Sequence, residues 1–243
     1  MYKAKKTKEK DIAARKKRLN GRVSEYTFSD YLNGKRVIIV GPAGYLQGQD
    51  KGKYINGFDV VVRINHAIPI KYPNDYGNRT DILYHILSHR AKNGQRGKQI
   101  LERREIIEWR DNKLKFLVSR HGLTSHRIDQ MKSVIGGLVA WLAMRESFCR
   151  SVKNKVRSTP NTGVMGIMHL LLFPIESLTV IGFDFYASGV YNGYGDIREG
   201  EAPNVINSRW HENAPQIKFL ANLKKTETRL KFDKVLEEIC KSK

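Results

Sequence analysis

The chain has 243 residues, with 44 Lys or Arg against 24 Asp or Glu, a formal net charge of +20. Its 40% hydrophobic content supplies a sizeable core and excludes a disordered basic tail. Two cysteines, Cys149 and Cys240, exclude a disulfide scaffold and a cysteine-rich zinc site, and no apolar run reaches the ~18–20 residues of a transmembrane helix.

In chain order, residues 1–20 read as a basic helix or a disordered arm, and folded patterning begins near Tyr31. The organisation expected is a basic extension, 1–25, followed by one domain, 26–243. Arg36-Val-Ile-Ile-Val40 is a β-branched run that stops at Gly41, the pattern of a buried strand. Residues 59–64 and 80–86 predict two more strands, and Lys115–Val118 a fourth. Helical spacing covers 98–110, 125–131, 134–148 and the apolar stretch 164–173, and Leu178–Phe183 predicts a fifth strand. Residues 186–209 are loop-like, and Trp210–Leu223 and Glu227–Ile239 close the chain as amphipathic helices. Strands alternating with helices imply an α/β fold whose sheet is mostly parallel and Rossmann-like, flanked by helices. Such sheets bind ligands beyond the carboxyl ends of their strands, so chemistry is sought after Val40, Ile64 and Phe183.

Five motifs stand out, three of them at those strand ends. Gly41-Pro42-Ala43-Gly44 follows the first strand; glycines let a backbone approach a ligand, and free N–H groups at a helix start attract phosphate. A plain tight turn is the competing reading, and neither the P-loop nor the G-x-G-x-x-G spacing is met. Arg63 and Asn65 end the second strand, facing the crevice or simply finishing it. Pro160-Asn161-Thr162-Gly163 opens the apolar helix with a good N-cap and a close-approach glycine, features that ordinary capping also needs. Asp184, Tyr186, Tyr191 and Tyr194 follow the fifth strand, where tyrosine hydroxyls can hydrogen-bond a leaving phosphate. The segment has no D-x-D pair, so metal independence is expected. His211 opens the penultimate helix and is a candidate general base. His169 reads as a packed core histidine, and Leu123–Met131 resembles a helix-turn-helix only poorly.

Charge points to an anionic partner. Ten basic against two acidic residues fall in 1–22, and ten against four in 89–120. Lys16, Lys17, Arg18, Arg90, Arg96, Lys153 and Lys155 are the candidate contacts for a polyanion, with DNA favoured over an anionic membrane surface or polysaccharide. The basic start lacks the apolar stretch of a secretory signal, so a reducing cytoplasm is expected.

The order of the motifs resembles the sialyltransferases of glycosyltransferase family 29. Gly41-x-x-Gly44-x-Leu46, Asp59–Asn65, Ala67-Ile-Pro69 and Asp75-Tyr-Gly77-x-x-Thr80 are similar to the family's large donor motif. Pro160–Gly163 and Leu178–Tyr186 are similar to its small motif, and the second of these also to the Asp-Phe-Tyr of bacterial sialyltransferases. His211 stands where the family's very short motif places its catalytic histidine. The resemblance implies a variant GT-A nucleotide-binding fold, a CMP-sugar co-substrate, no metal or other cofactor, and inversion at the anomeric carbon. It implies that Gly41 and Gly44 border the donor phosphate and nucleoside, that Asn65 reaches the phosphate or ribose, that Thr162 and Gly163 offer backbone donors, and that Tyr186 with Tyr191 or Tyr194 holds the leaving phosphate. Gln216 replaces the family's Glu five residues after the histidine, and the linking cysteine pair is missing. With the charge, the expected acceptor is a hydroxymethylated DNA base, as in phage DNA-glycosylating enzymes; the alternatives are lipopolysaccharide or capsule assembly, and a non-catalytic nucleic-acid-binding protein.

Overall fold

A computed structural model describes residues 21–87, 102–120, 132–194 and 212–242. Its centre is a seven-stranded sheet, all pairs parallel, in the order β5-β4-β3-β2-β1-β6-β7. The strands are β1 Arg36–Val40, β2 Val60–Ile64, β3 Ile82–His85, β4 Phe116–Ser119, β5 Ala140–Ala143, β6 Ser177–Ile181 and β7 Leu230–Phe232. The apolar runs put β2, β3, β4 and β6 wholly in the interior, which is why they read as continuous rather than alternating.

Helices cover both faces. On one lie α1 Glu25–Leu32, α5 Glu146–Val156, α6 Thr162–Leu170, α7 Asn213–Thr226 and α8 Lys234–Lys241; on the other lie α2 Gly52–Asn56, α3 Pro73–Tyr76 and α4 Arg103–Asp111. Side chains alternate accordingly: Val37 and Ile39 of β1 join the first core, Ile38 and Val40 the second. Almost every residue of α6 is buried, as expected of a helix apolar on all sides. His169 sits on α6 with its Nδ1 2.9 Å from the Tyr84 hydroxyl and the rings of Phe28, Phe148 and Phe173 around it. Burial pushes its imidazole down to about 3, so it is the packed neutral core histidine the sequence suggested.

Three expectations are corrected. Residues 134–148 do not form one helix, because Gly136 and Gly137 at φ 52° and 78° break it and Ala140–Ala143 instead extends the sheet beside β4. Residues 227–239 are not one helix either; Leu230-Lys-Phe232 pairs with β6, and Asp233 then caps α8 by accepting from Leu236 N at 3.0 Å. Order begins before Tyr31: Trp141 N donates to Gly21 O, Val23 N donates to Trp141 O, and Ser24 caps α1, whose Phe28 and Leu32 are buried one turn apart. Residues 21–23 thereby bridge to the sheet's edge. The helical reading of 125–131 and the helix-turn-helix resemblance lie outside the described residues.

Candidate active site at the head of a buried helix

The sheet winds outward in two directions from β1, one way through β2 to β5 and the other through β6 and β7. The carboxyl ends of β1 and β6 therefore flank the switch point where such folds bind ligands. The Gly41–Gly44 loop stands there, but its amides are not free. Gly41 N donates to Ile181 O at 2.8 Å, Ala43 N to Gly182 O at 3.1 Å and Gly44 N to Gly189 O at 3.2 Å. These N–H groups sew the two strand ends together, as the tight-turn reading has it. The glycines serve that approach, since a Cβ on Gly41 would overlap Gly182 O and one on Gly44 would lie 2.6 Å from Ser188 O. Pro42 O accepts from Tyr191 N at 2.9 Å, and Ala43 O from the Tyr76 hydroxyl at 2.8 Å.

Other expected donor residues belong to this same brace. Arg63 is buried, and its guanidinium donates to the carbonyls of Tyr76, Gly77 and Arg79 and to Thr80 Oγ1. Burial pulls it down to about 10, still charged at neutral pH. Tyr191 packs on Tyr76 with ring centroids 4.4 Å apart, and burial pushes its phenol up to about 12. The Tyr194 hydroxyl donates to Ile64 O at 2.9 Å. The structure therefore places Arg63, Tyr191 and Tyr194 in the packed interior behind the first loop.

A second constellation forms at the start of α6. Asn161 caps the helix, accepting from Val164 N at 2.8 Å, and its own amide donates to Gln216 Oε1 at 2.8 Å. Gln216 is fully buried and donates from Nε2 to Glu212 O at 3.0 Å, so the residue standing where the family has Glu ties α7 to the head of α6. Gly163 lies against the Phe183 ring, which a Cβ would overlap. The amides of Thr162 and Gly163 have no partner among the described residues; they are the open first-turn donors of α6, with the positive end of the helix dipole behind them.

Three strands deliver side chains to this point. After β2, Asn65 at φ 48° donates from Nδ2 to Thr162 Oγ1 at 3.4 Å, while its Oδ1 accepts from Ile86 N at 3.3 Å. After β4, Arg120 donates to the same Thr162 oxygen at 3.3 Å and to Pro160 O. After β6, Asp184 folds a turn by accepting from Tyr186 N at 3.0 Å, from Ser188 N at 2.6 Å and from the Ser188 hydroxyl. That turn holds Phe185 and Tyr186 at φ 55° and 70°, two successive left-handed non-glycine residues, and such strain gathers at ligand sites. Asn213 of α7 donates to Phe185 O at 3.0 Å, and its buried Oδ1 has no hydrogen-bond partner among the described residues. Asp184 thus builds the turn that carries Tyr186.

Asn65, Asn161, Thr162, Gly163 and Tyr186 are brought to one place. Sequence reasoning missed Arg120 and Asn213. Arg120 had a signal, because it follows a predicted strand just as Asn65 does. Lys153 and Lys155 are exposed on α5. His211, Lys16, Lys17, Arg18, Arg90 and Arg96 lie outside the described residues. Among the described residues, no group of three His, Cys, Asp or Glu is placed to hold a metal, and no helix is long and apolar enough to cross a membrane.

The sequence model of glycosyltransferase family 29 (sialyltransferase) matches residues 14–226. The chain belongs to glycosyltransferase family 29. Its α/β fold is that of sialyltransferase structures: CstII from Campylobacter jejuni in complex with CMP-3FNeuAc has a TM-score of 0.56 at 16% identity, covering 84% of this chain and 85% of that one. A mammalian sialyltransferase has a TM-score of 0.56 at 14% identity, covering 83% and 69%. In sequence, the lactosylceramide α-2,3-sialyltransferase of Mus musculus is 39% identical over 61 residues, 24% of this chain and 15% of the relative. That of Rattus norvegicus is 38% identical over 61 residues, 16% of its length, so the matched stretch is a small part of each curated relative.

Proposed function

We propose that this member of family 29 transfers a sugar from a CMP-linked donor to a hydroxyl of a glycan, with inversion at the anomeric carbon and without a metal ion. The observation that carries the reading is the convergence of β2, β4 and β6 on the open amides at the head of α6. A nucleotide phosphate there meets backbone donors and a helix dipole. Asn65 and Tyr186 stand beside it to orient the donor and to hydrogen-bond the leaving phosphate, each donor being worth up to about 3 kcal/mol in the transition state. His211, next in sequence to the α7 cap Glu212, is the proposed base that takes the acceptor proton as the new bond forms, an effect of about 10²–10⁴ in rate.

A glycan acceptor is favoured over a modified DNA base. The relatives are named for lactosylceramide, and solved structures of similar fold hold Gal-β-1-3GalNAc-ortho-nitrophenol or a trisaccharide acceptor. The test is release of CMP from CMP-N-acetylneuraminate in the presence of lactosyl and Gal-β-1-3GalNAc acceptors, with and without EDTA. The expected result is acceptor-dependent turnover that EDTA leaves unchanged and His211→Ala lowers by about 10²–10⁴. Turnover restricted to hydroxymethylated duplex DNA would reinstate the nucleic-acid acceptor. EDTA-sensitive turnover would refute the metal-free mechanism, and absence of CMP binding would remove the donor assignment.

A further inference from the structure

Arg120 is 7% exposed, and among the described residues no carboxylate pairs with it. Among the described residues its guanidinium donates to two neutral oxygens, Pro160 O and Thr162 Oγ1. Leaving a buried charge uncompensated is expensive, and an anion arriving beside it relieves that cost. Burial pulls the guanidinium down to about 10, so it keeps its charge at neutral pH, and Tyr186 and Cys149 are the titratable groups that act on it.

The second observation concerns the threonine. A hydroxyl oxygen has two lone pairs and one proton. Thr162 Oγ1 accepts from Asn65 Nδ2 at 3.4 Å and from Arg120 at 3.3 Å, which occupies both lone pairs. The proton must then be donated, and no acceptor among the described residues receives it. The residue also begins α6, next to the two open amides.

We propose that Arg120 is a positioning residue of the donor site: with Asn65 it fixes Thr162 as an outward hydrogen-bond donor, and its uncompensated charge selects a donor carrying an anion at the head of α6. The anion has two possible sources, the phosphate of the nucleotide and a carboxylate on the sugar. This inference rests on the donor reading above and adds to it a residue and a selectivity.

The experiment is isothermal titration of cytidine, CMP and CMP-N-acetylneuraminate into the full chain and four variants, Arg120→Gln, Arg120→Lys, Thr162→Val and Thr162→Ser, with the double variant Arg120→Gln/Thr162→Val. Arg120→Gln and Thr162→Val are each expected to weaken an anionic ligand about tenfold or more, while cytidine affinity stays within about twofold. Thr162→Ser retains affinity and Arg120→Lys falls between. The double variant is expected to be little worse than either single change, because the two residues act as one unit. A loss already present with CMP locates the anion as the phosphate, and a loss confined to CMP-N-acetylneuraminate locates it as the sugar carboxylate. Equal losses for all three ligands, no loss at all, or losses that add in the double variant would overturn the proposal. Should Arg120→Gln fail to fold, Arg120→Lys and the contrast between Thr162→Val and Thr162→Ser decide it. A wild-type protein that binds no CMP overturns the donor reading and this inference together, whereas CMP binding with unaffected variants removes only the inference.

Discussion

Two junctions of this molecule have the same ingredients and opposite character. Each lies at the carboxyl ends of buried strands, has glycine at close approach and has a buried arginine nearby. At the Gly41–Gly44 loop every ingredient is used internally. The three amides bond to Ile181, Gly182 and Gly189, and Arg63 is solvated by three carbonyls and a threonine. At the head of α6 the Thr162 and Gly163 amides are open, and Arg120 has two neutral oxygens for company. The lesson is that a glycine-rich turn after a strand reports close backbone approach, and only the hydrogen-bond accounting says whether another strand or a ligand is what approaches. The first junction fastens the two halves of the sheet, and the second is left unsatisfied.

The contrast is most easily broken at Gly41. Its Cβ would meet a backbone oxygen that cannot move without parting β1 from β6, so Gly41→Ala is expected to destabilise the fold by about 3 kcal/mol or more, measured by urea unfolding. Retention of full stability would mean that the two strand ends are not fastened there. Arg63→Met comes next, at about 2–4 kcal/mol, because it strands the carbonyls of the 76–79 turn. Its CMP affinity, measured in the folded protein, is expected to match wild type, and a large loss of binding would move Arg63 into the donor site.

The helix behind the second junction supplies a pH test. The folded pKa of His169 is about 3, below the 6.5 of an unfolded histidine, so the unfolded chain takes the proton first as the pH falls. The stability contributed by the neutral imidazole is complete above about pH 6.5 and declines below it, by about 2 kcal/mol at pH 5. Unfolding curves across pH 7 to 5 should show this slope in wild type and lose it in His169→Phe. An unchanged slope in that variant would assign the titration elsewhere. The smallest effect is expected from Asn161→Ala, which removes a cap and costs about 1 kcal/mol of stability, with a weaker affinity for CMP because the head of α6 loosens. Unaltered CMP binding there would detach the cap from the site.

Much of the sheet was legible because β1, β2, β3, β4 and β6 are dense apolar runs, four of which, β3 excepted, stop at Gly, Asn or Ser. The two outer strands were not. Ala140–Ala143 and Leu230–Phe232 are too short for a period of two to stand out from helical spacing, and their pairing partners decide them. The site was half legible. Asn65, Thr162, Gly163 and Tyr186 fall at strand ends or a helix start, where sequence position alone points. The internal bonding of the first loop was not legible because its partners, residues 181–190, lie more than a hundred positions away in the chain. Gln216 was visible as a departure from the family's Glu, but its bond to the Asn161 amide depends on how α7 packs beside α6.

The central claim is that the donor binds at the head of α6 and that the Gly41–Gly44 loop is only its frame. Amide chemical shifts of isotopically labelled protein, followed by NMR during titration with CMP, test this most directly. The prediction is that Thr162 and Gly163 shift most, with Asn65 and Arg120 following, while Gly41, Ala43 and Gly44 move little. Largest shifts at Gly41, Ala43 and Gly44, with Thr162 and Gly163 unmoved, would contradict it.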